Sequence, residues 1–353
     1  EEDEKGPTAN GKIAKGFGQL LQGVRNIDVT YSRSMNTSVS GYRPATDNFG
    51  MDWNYAYRDA RTNELINSNQ VAPGYPFVFG WQPNEFSELD NEVNFLNDWA
   101  ENGWITDSPQ LVTPFASNFN EQITARTSVQ LFKDFKVDLN ATRTNTQNYS
   151  EIFRFDSTSQ DFVHDNRLLN GSYTMSYVFI GTAFERNEAE SKSFITMQDI
   201  RTDISQQLAQ DNPFYDNFLA LADINPDSAT LEDGYAQGYY RNSQEVVIPA
   251  FRAAYTGRAI KEETKLTAFP AIPLPNWNIN YNGLSKIESL KKHFKSVTIR
   301  HGYQGTYNVG GYTQNVRYRG TSTGFSDQFF AIDQTTAGDT IYNFESRYVI
   351  PSV

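Results

Sequence analysis

KSVTIRHGYQGTYNV, residues 295–309, places Val297, Ile299, Tyr303, Tyr307 and Val309 on one parity and Thr298, Arg300, Gln304, Thr306 and Asn308 on the other. Successive strand residues point to opposite faces, so the stretch predicts a strand with one apolar and one polar side. Four further windows repeat the pattern. RNIDVTYS sets Ile27, Val29 and Tyr31 against Asn26, Asp28, Thr30 and Ser32. QITARTSVQLF sets Ile123, Ala125, Val129 and Leu131 against Gln122, Thr124, Arg126, Ser128 and Gln130. KVDLNAT, after the short link FKDF, sets Val137, Leu139 and Ala141 against Lys136, Asp138 and Asn140, which makes the pair a hairpin candidate. GSYTMSYVF sets Tyr173, Met175, Tyr177 and Phe179 against Ser172, Thr174 and Ser176, and NWNINYN and IYNFESRYVI are shorter candidates. One such window is weak evidence; five in one chain are not.

Composition agrees with strands. Among 353 residues, 20 Tyr and 25 Phe accompany runs of Thr, Asn and Ser, a mixture that suits a pleated surface better than a helix. The 42 acidic against 30 basic residues, net −12, leave no basic stripe for phosphates, so nucleic acid is not an expected partner. The lack of cysteine excludes a disulfide frame and a thiolate metal site. No apolar run reaches the 18 or so residues of a membrane helix, an absence that a membrane barrel shares. The opening EEDEKGPTANGK lacks the basic-then-apolar plan of a signal peptide and reads as a solvated tail or linker.

Between the strands a few helices are expected. SELDNEVNFLNDWAENG begins with cap-like Ser87 and Asp90, spaces Leu89, Val93 and Leu96 helically and stops at Gly103. TMQDIRTDISQQLAQDNP begins at Thr196 and Asp199 and closes at Pro213, and Ser285 with Glu288 reads as a capping box before the strand at 295. Catalytic patterns are missing. The three histidines, His164, His293 and His301, form no zinc motif, and there is no nucleophile elbow, phosphate loop or calcium loop. No catalytic, cofactor or metal residue is assigned, no cofactor is expected, and an enzyme is not the expected class.

A soluble strand runs about five or six residues, whereas a tilted membrane strand needs about 9–11. The alternation at 295–309 is longer than either, the link at 132–136 is short, and the connection between Gly41 and Ser117 is long. Short turns on one side and long loops on the other suit an outer-membrane barrel. A soluble extracellular sandwich would show the same alternation, which by itself does not separate the two.

VRNIDVTYS, APGYPFVFGWQ, EVVIPAFRAAYTG and FPAIPLPNWNINYNGLSKIESLKKHFKSVTIRHGYQGTY, in this order between about residues 17 and 320, resemble the SprA/Sov family, the outer-membrane translocon of the type 9 secretion system, which also supports gliding motility. The resemblance implies an internal segment of a longer chain, in an all-β membrane protein whose single very large antiparallel transmembrane barrel has about 36 strands, with roughly six to eight here. It implies a protein-conducting channel for folded cargo in the outer membrane of a Gram-negative (diderm) bacterium, with periplasmic turns and extracellular loops. Implied partners are outer-membrane lipid, a PorV-type shuttle barrel, a periplasmic plug protein, cargo with a C-terminal signal domain and the rest of the same barrel.

On that basis residues 1–24 are expected to form an acidic tail and periplasmic turn, and 25–184 barrel strands with a long extracellular loop at 42–117. Residues 185–273 would be an insertion with helices that must cross the wall once more, and 274–353 further barrel strands. Asp28, Thr30, Arg126, Gln130, Asp138, Arg300, Gln304 and Asn308 would face the lumen, and Ile27, Val29, Tyr31, Val129, Leu139, Val297, Ile299 and Tyr307 lipid. Val297→Arg would then cost about 2–4 kcal/mol and Thr298→Arg would be tolerated. The rivals are a nutrient transporter barrel of the TonB-dependent type and a soluble surface β-adhesin.

Overall fold

The computed structural model describes residues 24–59, 62–67, 73–82, 95–179, 182, 185, 191–257, 267–315, 318, 321, 323–334 and 340–351. Long alternating windows become long strands. In chain order these are β1 (Val24–Ser38), β2 (Ala56–Arg58), β3 (Leu65–Asn67), β4 (Phe115–Phe132), β5 (Phe135–Asp156) and β6 (Asp161–Ser176). β7 (Asn276–Tyr281), β8 (Ile299–Tyr303), β9 (Thr306–Gln314), β10 (Phe329–Gln334), β11 (Thr340–Phe344) and β12 (Tyr348–Val349) follow.

β4 and β5 form the expected hairpin, in register from Phe115↔Glu151 to Gln130↔Lys136. The turn is Lys133–Asp134, with Asp134 in the left-handed region at φ 75, a conformation Asp tolerates better than most residues. This turn marks the lower end of the sheet. β1 runs antiparallel along β4, from Asn26↔Ser128 to Ser38↔Ala116.

The next strand position is filled by two separate pieces of chain. β6 pairs with the upper part of β5, down to Arg143↔Met175, and β7 pairs with the lower part, from Asn140↔Asn276 to Phe135↔Tyr281. Residues 177–275 therefore leave one strand position halfway down and return to the same point. The joint is bonded: Leu274 N donates to Ser176 O at 3.0 Å, and Thr142 N donates to Ser176 Oγ at 2.9 Å. The neighbouring position mirrors this, with β8 on β7 and β9 on β6. Gly305, between β8 and β9, accepts from Tyr177 N at 3.0 Å and donates to Asn276 Oδ1 at 2.8 Å. A Cβ at Gly305 would strike the Tyr177 carbonyl. β12 adds a short sixth position beside β9. The result is an antiparallel meander, β1-β4-β5-β6/β7-β9/β8-β12, that is not closed.

Two cores are attached to it. The first lies on the upper half of one sheet face, where Phe115, Tyr149, Tyr173, Met175, Tyr307 and Val309 pack under Leu96, Ala100 and Ile105 of the long 39–114 connection and under Phe251 and Phe269 of the insertion. The second joins helices Arg201–Asp211, Tyr215–Leu221 and Gln244–Thr256 to the β10–β11 hairpin, through Ile204, Leu208, Phe218, Tyr239, Val246 and Phe344.

Several expectations change. Among the described residues 185–273 adds no strand to the main sheet, and β6 and β7 fill one strand position between them. The strand expected at 295–309 begins at Ile299 and breaks between Tyr303 and Thr306. Val297 precedes it in the lower turn, where its N–H donates to Ser285 Oγ at 2.7 Å and its carbonyl accepts from the same hydroxyl at 3.0 Å. Ser285 is thus occupied there and makes no cap to the short helix Glu288–Lys291. β10 and β11 form a separate two-stranded sheet, bridged to Gly238 of the insertion through Asn343, so part of 274–353 packs on the insertion and lies outside the main sheet.

The helix expected over 196–213 is two, Lys192–Asp199 and Arg201–Asp211, the first capped by Ser191 through Phe194 N. The helix ending near Gly103 spans Phe95–Glu101; Ser87, Leu89, Asp90 and Val93 lie outside the described residues, as does the tail at 1–23.

Candidate functional site

One face of the main sheet is polar on every rung from Gln130 up to Asn118. One polar rung crosses five strands as Ser32, Gln122, Thr144, Thr174 and Asn308; two rungs lower, Asp28, Arg126, Asn140 and Asn276 continue the same face. Thr174 Oγ1 donates to Asn308 Oδ1 at 2.7 Å, a cross-strand pair of the kind that stabilises sheets. Near the lower end this face is hollow. Asn26, Asp28, Arg126, Asp138, Asn278 and Gln304 line a cleft of about 710 Å³, and because they come from β1, β4, β5, β7 and the β8–β9 joint, the polar face is concave there.

Asp28, Thr30, Arg126, Gln130, Asp138, Arg300 and Asn308 all lie on this one face, with Gln304 at the joint beside it. The Asp138 carboxylate accepts from Ser128 Oγ and pairs with Lys136 Nζ at 2.8 Å.

The opposite face is apolar but divided in height. Ile27 is 66% exposed, Val29 64%, Tyr31 57% and Ile299 50%. These belong to a lower belt that also holds Leu139, Ile279, and Trp277 stacked on Tyr303 at 4.4 Å. Along β5 the belt runs from Phe135 to Arg143, nine residues, the length of a tilted membrane strand. Its lower rim is aromatic, with Phe132 and Phe135 stacked at 4.8 Å and Tyr281 at 6.0 Å from each. Among the residues expected on the apolar side, two are buried. Val129 is buried within the belt, and Tyr307 lies in the upper core. Val297, in the turn, is in no strand.

The upper rim is polar. Arg143 pairs with Glu121 on the neighbouring strand, and its Nη1 donates to Ala271 O at 2.8 Å. Arg33, opposite Glu121, sits 5.2 Å from the Phe119 ring centroid. Ala271 belongs to a strap that returns from the insertion across the sheet. Tyr307 OH donates to Ala268 O at 2.8 Å, and Tyr173 OH to Pro270 O. Above it the long connection is docked through His164, whose Nδ1 lies 2.7 Å from the buried Glu151 Oε2 and whose Nε2 lies 3.2 Å from Asn97 Oδ1 at the surface. Sequence reasoning missed this rim. Its signal was present: Glu121 and Arg143 are the first charges on the apolar parity beyond the ends of the alternating windows.

In the insertion, burial raises the Glu245 carboxyl above the usual carboxylate range, while a hydrogen bond from the Ser346 hydroxyl pulls it the other way. Gln244 holds the C-terminal segment on both sides, donating to Tyr348 O and accepting from Ile350 N at 3.1 Å. Among the described residues no group of three or more metal-ligating side chains is assembled, and no helix is long and apolar enough to cross a membrane, which says nothing about strands. Comparison of the sequence with protein-family models and with curated proteins finds no match in either.

Proposed function

We propose that this chain is a section of the wall of an outer-membrane β-barrel that conducts folded protein, as its resemblance to the SprA/Sov family implies. The observation that carries the reading is an apolar lower face, about nine residues tall along β5 and exposed at Ile27, Val29, Tyr31 and Ile299, backed by a polar face that is concave at the same height. Lipid would cover the belt and water would fill the hollow side, the arrangement of a transmembrane barrel wall. Both outer edges of the meander present strands for continuation, and neighbouring strands of the same barrel would pair there, because an open edge invites unwanted pairing.

In this reading the lower turns are periplasmic and the long connection and insertion stand on the extracellular side. The work is steric and needs no cofactor or catalytic group. Cargo bearing a C-terminal signal domain, a PorV-type shuttle and a periplasmic plug are the corresponding partners. A soluble adhesin would need its second layer over the whole apolar face; among the described residues that layer covers the upper half and leaves Ile27, Val29 and Tyr31 exposed.

Photo-crosslinking tests it. With a crosslinking residue at Thr142, export-arrested cargo becomes attached; at Ala125, on the apolar side of the belt, lipid is labelled and cargo is not. Equal cargo labelling at both positions contradicts the reading.

A further inference from the structure

Charge is unevenly placed on the polar face. Asp28, Arg126, Lys136, Asp138 and Arg300 all lie at or below the Asp28–Arg126–Asn140 rung. The next four rungs upward, which include Ser32–Gln122–Thr144–Thr174–Asn308 and Asn36–Asn118–Asn148–Asn170, hold only hydroxyl and amide side chains, although charged residues make up 20% of the chain. At the same levels the other face carries Arg33, Glu121 and Arg143. Charge is therefore excluded from one face and not from the strands. The same four rungs hold no aromatic ring, so they offer no stacking platform for a base or a sugar.

Resting on the channel reading, we propose that these four rungs form a charge-neutral sliding wall: it lets hydrated, folded polypeptide of either net charge pass without retaining it, and any reading of charge on this face is left to the rungs below and to the Arg154–Asp165 pair above. Fixed charges lining a passage build up potential and hold molecules of opposite sign, which is how selective pores are made. Hydroxyls and amides only exchange hydrogen bonds with water, at little net gain for any passing surface. Several are already engaged with one another, as Thr146 with Asn120 and Asn148 with Asn170, both at 3.3 Å. Such a wall binds nothing well, which suits the transit of unlike cargoes.

The test uses the intact protein in planar bilayers, with a small folded probe protein and its charge-reversed variant, reading the dwell time of current blockades. In the wild type the two probes dwell equally to within about twofold at low salt. In the double variant Thr124→Lys with Thr174→Lys the acidic probe is held about tenfold longer than the basic one, and the difference disappears at high salt. Thr124→Gln with Thr174→Gln leaves both dwell times unchanged.

A wild type that retains one sign of probe tenfold longer overturns the neutral wall while leaving the channel reading standing. Equal dwell times that ignore the lysines overturn the placement of this wall in the passage. Absence of any blockade overturns the channel reading and the inference with it.

Discussion

The lower and upper halves of the apolar face carry the same alternation and have opposite surroundings. Val29 and Ile27 point into open space, whereas Met175 and Val309, on rungs a short distance above, are fully buried beneath the insertion and the long connection. Side-chain period establishes which residues share a face; it does not say what lies against that face. The change of surroundings falls at Arg143, Glu121 and the strap through Ala271, where an exposed apolar surface gives way to one that brings its own cover.

The largest expected effect comes from the upper half. Met175→Asp buries a carboxylate between Tyr173 and Tyr307, beside an Arg143 already engaged by Glu121 and the Ala271 carbonyl, and a loss of about 4–5 kcal/mol or failure to fold is expected, read by heat or denaturant unfolding. Val29→Arg probes the lower half. It is expected to cost about 2–4 kcal/mol in a bilayer and Thr30→Arg less than about 1 kcal/mol, measured by folding into lipid vesicles. Equal costs would erase the distinction between the faces.

A smaller effect concerns how the cover is fastened. The raised carboxyl of Glu245 binds its proton more tightly in the folded than in the unfolded chain, so the stability it contributes is fully present below the unfolded value. That stability is lost as pH rises through the raised folded one. Glu245→Gln, which keeps the shape and removes the titration, is expected to flatten the fall in stability above about pH 4.5, seen as melting temperature against pH. An unchanged slope would place the titrating group elsewhere.

Much of the sheet was legible in the residues. The β4–β5 hairpin, the sidedness of β1 and the polar set from Asp28 to Asn308 follow from period two and turn chemistry alone. Three things were not legible, for physical reasons. A strand position built from β6 and β7 looks in sequence like two strands, because its continuity is a set of hydrogen bonds across residues 177–275. Alternation through Gln304 and Gly305 hides a break that arises only because the neighbouring position is also split. The burial of Tyr307 depends on Phe269 and its neighbours, far off in sequence, and nothing local to residues 295–309 announces it.

The central claim is that the exposed belt meets hydrocarbon while the opposite face meets water. This chain has no cysteine, so single substitutions Val29→Cys and Thr30→Cys, adjacent in β1 and on opposite faces, can be labelled in intact membranes with a water-soluble, membrane-impermeant maleimide. The account predicts rapid labelling at Thr30→Cys and protection at Val29→Cys that detergent abolishes; fast labelling of both, or the reverse ranking, would contradict it.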